Sequence, residues 1–343
     1  MDEVLKKLLC AAGISGYEHE VAAIMKKELA KSCDEVSTDT FGNVIARKGK
    51  GGRKIMIAAH MDEVGFIIKH VTPGGYLHFV KVGGIDDRAL PGQRVLIKSA
   101  RGDVHGIIGA KPPHIQKDEE RNKPVKSEDM FIDIGASSRE EALKRVEITD
   151  MAVFEPNAGR LDGNLYYGKS LDNRLGCYAL LKMMERLKIR AEVYAVATTQ
   201  EEVGLKGART SSFRVNPDFA LVVDTTVAGD TPHIQEHQSS IKLGAGVSIG
   251  TVEAGGRGFI VSSGIKELFI GSARANKIKY QLDVLEGGMT DAAIIYMNRE
   301  GVLSGVLGIP TRYVHSASGV FSMDDVDAAV SLGVKALEAF VKK

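Results

Sequence analysis

His60 and Asp62, one residue apart in HMDEVG, and the adjacent pair Glu201 and Glu202 in QEEVG are dense acid–base groupings in this chain. Asp172 in SLDNR, Asp224 at the end of FALVVD and His315 at the end of TRYVH share a property with them. Each follows an apolar run of strand character or opens a helix. Ligands of open α/β sheets bind at the carboxyl ends of strands, so these groups are expected along one sheet edge. Carboxylates gathered in a sheltered site repel one another, and some must protonate unless a cation resolves the repulsion. Two histidines with several carboxylates and no thiolate suit zinc, cobalt or manganese better than calcium. One carboxylate shared by two ions would hold them roughly 3.5–4 Å apart, as in two-metal hydrolases. A further carboxylate would then serve as general base. Adjacent side chains in QEEVG diverge, so one can bind metal while the other faces water. Taken singly, each residue has a plainer reading: a helix cap for Asp172, a solvated pair for Glu201 and Glu202, a surface or core position for either histidine.

The elements that must carry these groups alternate in type. Leu5, Leu8 and Leu9 start a helix, and Val21, Ile24, Met25 and Leu29 fit a second at helical spacing. IMIAA, residues 55–59, is a continuous apolar run of the kind buried on both faces of a sheet. From about residue 68 to 163 the texture changes to short β-like runs broken by turn signals such as Gly74-Gly75, Gly83-Gly84 and Pro91-Gly92. That region reads as a small barrel or sandwich, with one helix near residues 138–145 and a polar, exposed loop at residues 116–129. Tyr76, Phe79 and Leu90 are expected to be exposed apolar residues on it. Beyond residue 164 the alternation returns. Strands are expected at residues 193–197, 219–223 and 311–314, and helices around residues 175–187, 265–275 and 324–341. The architecture is therefore an α/β domain from residues 1–67 and 164–343, with a β-rich domain inserted at residues 68–163.

Bulk properties narrow the function. Lys and Arg total 45 against 44 Asp and Glu, intermixed, so there is no basic stripe for nucleic acid or an anionic membrane. No run approaches the roughly 20 apolar residues that span a bilayer, and the N-terminus reads as an amphipathic helix, not a signal peptide. Cys10, Cys33 and Cys177 are far apart and form no CxxC, which points to reduced thiols and a cytoplasmic location.

ISGYE near the start, AAHMDEVGF, LPGQRV, GAKPPH, GKSLDNR, TTQEEVGLKGA, VVDTT, GGMTDAA and PTRYVHS occur in this order across nearly the whole chain. Together they resemble the tetrahedral (TET) aminopeptidase family of metallopeptidases, which includes glutamyl and deblocking aminopeptidases. The resemblance implies a zinc-exopeptidase-like sheet sandwiched by helices, with an inserted β-barrel-like dimerisation domain. It implies His60 and Asp224 on one metal, Glu202 and His315 on the other, Asp172 bridging, Glu201 as general base and Asp62 orienting His60. Two divalent ions per subunit, zinc or cobalt, would activate a bound hydroxide for attack on the first peptide bond. Peptides are the implied substrates, and the implied partner is the chain itself, as a homodimer building a dodecamer. His114 lies on the insert, from which it could reach a neighbouring subunit's active site. Thr290 and Asp291 could line the substrate cleft or cap a helix. At residues 243–248 the chain has LGAGVS where the family commonly carries Gly-Lys-Gly-Pro.

Three other functions compete. A carboxypeptidase or amide deacylase on the same scaffold would need a cation for the substrate carboxylate, for which Arg88, Arg174 and Arg312 are candidates. An endoglucanase would need two carboxylates flanking a sugar and usually many stacking aromatics, but only 6% of residues are aromatic and none is Trp. A non-enzymatic metal-binding assembly protein would have no use for Glu201 beside an open coordination position.

Overall fold

A computed structural model describes residues 1–121 and 123–342; Asn122, in the expected polar loop, and Lys343 lie outside the described residues. The amino-terminal part supplies α1 (Glu3–Cys10), α2 (His19–Leu29), β1 (Glu35–Thr38), β2 (Val44–Lys48) and β3 (Lys54–His60). Next come β4 (Gly65–Val71), β5 (Leu77–Val82), β6 (Arg94–Ser99), β7 (Gly102–Gly109), α3 (Asp118–Arg121), β8 (Phe131–Asp133), α4 (Arg139–Leu143) and β9 (Met151–Phe154). The remainder contains β10 (Ala158–Arg160), β11 (Leu165–Gly168), α5 (Leu171–Arg186), β12 (Glu192–Thr198), α6 (Lys206–Val215), β13 (Phe219–Val227), β14 (Val247–Val252), α7 (Ser263–Ala275), β15 (Tyr280–Val284), α8 (Ala292–Ile295), β16 (Leu303–Arg312), β17 (Gly319–Ser322) and α9 (Met323–Lys342).

An 11-stranded sheet runs in the order β1-β2-β12-β3-β13-β16-β17-β11-β10, with β14 and β15 branching from β16. Its centre, β12-β3-β13-β16, is parallel throughout. The side-chain period of two sorts these strands cleanly. Ile55, Ile57 and Ala59 of β3 pack with α1, α2, α5, α7 and α9 on one face. Met56 and Ala58 pack on the other against Ala208 and Val215 of α6 and Ala292 and Ile295 of α8. Both faces are covered, which is why IMIAA is apolar without alternation.

β16 begins at Leu303, well before the strand expected at residues 311–314, and stops at Arg312. Gly305, Gly308 and Pro310 conceal it in the sequence. Gly305 is required because a Cβ there would sit 2.2 Å from the Phe269 ring of α7, so the helix packs directly on backbone.

The insert forms a closed barrel, β4-β5-β8-β7-β6-β9. Its strands start at Gly65 and end at Phe154, and β10 pairs instead with β11 of the large sheet. Phe66 lies edge-on to Phe79 and Phe154 at centroid distances of 5.1 and 5.3 Å, the core of this unit. Phe79 and Leu90, expected on its surface, are instead buried in that core, at 2% and 0% exposure. In a barrel this small, alternate side chains must fill the interior. Tyr76 is exposed as expected. The polar stretch around residue 120 carries two short helical turns, α3 and residues 127–129, and its described residues are largely exposed. Among the described residues no helix is long and apolar enough to cross a membrane.

Candidate active site

The parallel strands end on one edge of the sheet and deliver the ionisable groups there. His60 is the last residue of β3, Asp224 lies within β13, Glu201 and Glu202 follow β12, and His315 follows β16. Asp172 enters from the first turn of α5, where its φ and ψ of −80° and 110° are not yet helical. Gln200 and His315 hold left-handed φ values of 54° and 57°. Such conformations cost on the order of 1–3 kcal/mol each and persist only where the surroundings enforce them.

The two imidazoles face opposite oxygens of one carboxylate. His60 Nε2 is 3.0 Å from Asp172 Oδ1, and His315 Nε2 is 3.2 Å from Asp172 Oδ2. A second carboxylate backs each ring: Asp224 Oδ1 lies 3.6 Å from His60 Nε2, and Glu202 Oε1 lies 3.1 Å from His315 Nε2. Glu201 Oε2 is further out, 3.9 Å from His60 Nε2. Two sets of donors, His60-Asp172-Glu202 and His60-Glu201-Asp224, each fall within 4.8 Å of one another.

The far sides of the rings are anchored. His315 Nδ1 is 2.8 Å from the Gly84 carbonyl, which belongs to the segment leaving β5 of the barrel. His60 Nδ1 is 3.1 Å from the Asp62 backbone carbonyl, closer than the Asp62 carboxylate at 3.4 Å. The fully buried Asp62 carboxylate instead accepts from Ser15 Oγ (2.6 Å) and from the backbone N–H groups of Glu201 (3.0 Å) and Glu202 (3.1 Å). Its principal contacts therefore fix the QEEVG turn against β3.

Electrostatics set this site apart. Four carboxylates meet two imidazoles, so even two protonated rings leave negative charge in excess. Burial would depress the proton affinity of His60, but the Asp224 and Glu201 carboxylates raise it well above the ordinary histidine range. Burial pushes Asp224 up to about 6, against the pull of His60. Burial likewise raises Glu201, with Asp224, Asp291 and Glu202 adding to it. Glu202 Oε1 is buried and has no hydrogen-bond partner beyond its ion pair with His315, 3.1 Å away. An orphaned carboxylate oxygen amid an all-oxygen-and-imidazole donor set fits divalent cations. The thiol of Cys177 takes no part, donating to the His60 carbonyl at 3.1 Å.

Beside these groups opens a cleft of about 420 Å³, lined also by Thr225, Thr226, Val227, Leu285, Met289 and Thr290. Thr290 is thus in the wall, with its hydroxyl donating to Glu253 at 2.8 Å. Asp291 lies behind it at 1% exposure, where its Oδ2 accepts from Thr198 at 2.5 Å. His114 is exposed on a turn of the insert and does not line this cleft.

Residues 42–332 match the M42 glutamyl aminopeptidase family. The chain belongs to that family. A TET aminopeptidase from the marine sediment archaeon Thaumarchaeota archaeon SCGC AB-539-E09 superposes with a TM-score of 0.95 at 41% identity, covering 98% of this chain and 95% of that one. The lysyl aminopeptidase of Pyrococcus furiosus is 32% identical, covering 98% and 96%. The TET1 peptidase of Pyrococcus horikoshii, which can assemble into a tetrahedron or a large octahedral shell, is 34% identical at a TM-score of 0.88 with 98% of each chain covered. This M42 chain is accordingly an aminopeptidase, a peptide-bond hydrolase of a family that uses divalent metal.

Around the M42 site the structure adds residues that spacing did not reveal. Ser15 reaches Asp62 across 47 positions, and Glu253 reaches Thr290 across 37. Glu18, in the ISGYE motif, accepts from the Gly16 and Gln200 N–H groups and ties that motif to the catalytic turn. ISGYE counted in the sequence only as part of the resemblance, and nothing there pointed to Glu253.

Proposed function

We propose that the chain removes residues one at a time from the free amino ends of peptides, using two divalent ions held by five side chains. His60 and Asp224 would hold one ion, Glu202 and His315 the other, with Asp172 between them. The supporting observation is the two-sided placement of Asp172, one oxygen toward each imidazole and each imidazole backed by its own second carboxylate. Zinc or cobalt fits these donors. When bound, such ions polarise the scissile carbonyl and lower the pKa of water.

The remaining work falls to the chain. Glu201 is buried, which raises its affinity for a proton. It takes the proton of the attacking water, holds it on its carboxyl oxygen and passes it to the leaving amine. Asp62 keeps Glu201 and Glu202 in place through their backbone N–H groups. Thr290 shapes the wall facing the substrate, and Asp291 supports it from behind. The carboxylate-rich end of the cleft receives the substrate's α-ammonium group, which restricts cleavage to chain ends. The residues on either side of the barrel, 1–64 and 155–343, form the catalytic unit. The barrel, residues 65–154, forms a dimerising insert that offers His114 to a neighbouring subunit, and dimers build a dodecamer, as the shells formed by the Pyrococcus horikoshii relative suggest.

A carboxypeptidase reading finds no support in the arginines it would need. Arg174 is fully buried on the carbonyls of Met61, Leu8, Ala11 and Gly13, Arg312 pairs with Asp230, and Arg88 pairs with Asp86. None lines the cleft. The test is enzyme stripped of metal, reloaded with zinc or cobalt, and given matched peptides with free and acetylated amino ends. Stepwise release from free ends alone, lost on chelation, is expected. Equal cleavage of acetylated peptides, or release from carboxyl ends, would overturn the reading. Light scattering of the same preparation measures the assembly.

A further inference from the structure

We infer that the cleft selects an uncharged, apolar first residue of leucine or methionine type, in preference to an acidic or basic one. This rests on the aminopeptidase reading of the same cleft and deepens it to a substrate class. The cleft has two parts of different chemistry. One is the cluster of Asp172, Glu201, Glu202, Asp224 and the two histidines. The rest of the lining, which includes Thr225, Thr226, Val227, Leu285 and Met289, is uncharged. With the substrate's α-amino group and scissile carbonyl at the cluster, its side chain is left to this uncharged lining.

An acidic side chain there would need a cation. Among the described residues lining the cleft there is no lysine or arginine. Arg312, on a neighbouring segment, holds Asp230 through two hydrogen bonds of 2.7 and 2.8 Å, and Arg257, whose Nε donates to the Ala254 carbonyl, does not line the cleft. A basic side chain would need a free carboxylate. Asp283, beside Thr226 of the wall, already accepts from Thr226 Oγ1 at 2.5 Å and Ser248 Oγ at 3.3 Å, Glu253 accepts from Thr290 twice, and Glu286, between Leu285 and Gly287, is exposed and does not line the cleft. A charge of either sign would meet no charged partner on this wall, which is unfavourable.

Apolar residues, by contrast, meet a wall that can adapt to them. Met289 is 49% exposed at the cleft and follows Gly287 and Gly288. Its chain lies so near Gly258 that a Cβ on that glycine would come within 2.7 Å of the Met289 Cγ. The thioether is therefore seated at its root yet presented to the substrate, and unbranched methionine moulds itself to differing apolar partners. Val227, 45% exposed, offers a second apolar surface. This sets the chain apart from its lysyl relative and from the glutamyl description of its family, both of which name charged residues.

The experiment measures kcat/KM of the zinc- or cobalt-loaded enzyme on leucine, methionine, glutamate and lysine p-nitroanilides, for wild type, Met289→Lys and Leu285→Lys. Thermal melts establish that each variant is folded. Calorimetry of the four free amino acids binding to wild type gives a second readout. Leucine and methionine are expected to lead glutamate and lysine by about tenfold or more, in line with what hydrophobic pockets achieve, and to bind more tightly. A folded lysine variant is expected to raise the glutamate-to-leucine ratio by about tenfold. Glutamate or lysine cleaved as fast as leucine would overturn the inference and leave the aminopeptidase reading standing. Folded lysine variants with an unchanged ratio would overturn the assignment of this wall. Failure of all four substrates would bring down the reading beneath both.

Discussion

Two buried polar clusters begin at neighbouring residues, Asp62 and Glu63, and come to opposite ends. Glu63 is met by Lys169 at 2.7 Å on both oxygens, by Arg174 at 3.2 Å and by Ser170 at 2.5 Å. Lys169 and Arg174 are themselves wholly buried, and their remaining N–H groups donate to backbone carbonyls including those of Ala11 and Met61. Every charge there has a protein partner. Three residues after Lys169, Asp172 joins a cluster in which four carboxylates share two imidazoles, and Glu202 Oε1 has only the His315 ring beside it. Burial of charge therefore does not mark a functional site. A deficit of counter-charge does, because only something from outside the chain can remove it.

The largest effects should separate the clusters by kind. Glu201→Gln is expected to lower kcat by about 10²- to 10⁴-fold, the usual range for a general base, while urea unfolding shows a protein no less stable than wild type. A strongly destabilised variant would move Glu201 into the structural class. Lys169→Met should do the reverse. Leaving Glu63 buried without its lysine is expected to cost about 3–5 kcal/mol, read from the urea midpoint. A Glu63→Gln, Lys169→Met double variant should lose less than the two single losses combined. If Lys169→Met slowed catalysis at unchanged stability, the distinction between the clusters would fail.

The sequence displayed the functional cluster more plainly than the structural one, and the reason is physical. His60, Glu201, Glu202 and His315 each follow an apolar strand, and parallel strands bring their carboxyl ends to one edge, so local pattern was enough to gather them. The barrel was legible as dense turns. Which of its apolar residues point inward was not, because Phe79 and Leu90 are buried by closure, a long-range event. β16 was hidden by glycines that its packing against Phe269 requires. Glu253 and Ser15 stayed invisible since their partners lie 37 and 47 positions away. Arg174 stands just two residues after Asp172, but its role depends on carbonyls that only the folded N-terminal segment brings near.

Glu253 tests an intermediate case, a buried carboxylate with hydrogen bonds but no cation. Burial pushes it up to about 7, against two hydrogen bonds from Thr290 that favour the ionised form. A carboxyl raised in the folded state adds stability that is complete below the unfolded value near 4.5 and is lost as pH rises through about 7. Glutamine has no proton to lose and can still hydrogen-bond Thr290. The stability of Glu253→Gln relative to wild type should therefore grow between pH 4.5 and 7, by on the order of 3 kcal/mol. Urea titrations of both proteins across that window check it, and parallel curves would show that Glu253 is no more strained than Glu63.

Asp2 marks the exposed end of the scale and should give the smallest change. Its carboxylate caps α1 by accepting from the Val4 N–H at 2.7 Å and also accepts from the Tyr178 hydroxyl at 3.1 Å. Loss of such a cap typically costs about 1 kcal/mol. Because α1 packs Leu5, Leu8 and Leu9 into the same core as α5, that cost should appear in global unfolding and not merely as fraying of the first turn. Asp2 does not line the cleft, so Asp2→Ala should leave kcat/KM unchanged. A change in rate approaching that of Glu201→Gln would mean that stability anywhere in the chain governs the site. The contrast between a cluster whose polar groups all find protein partners and one short of counter-charge would then explain nothing about function.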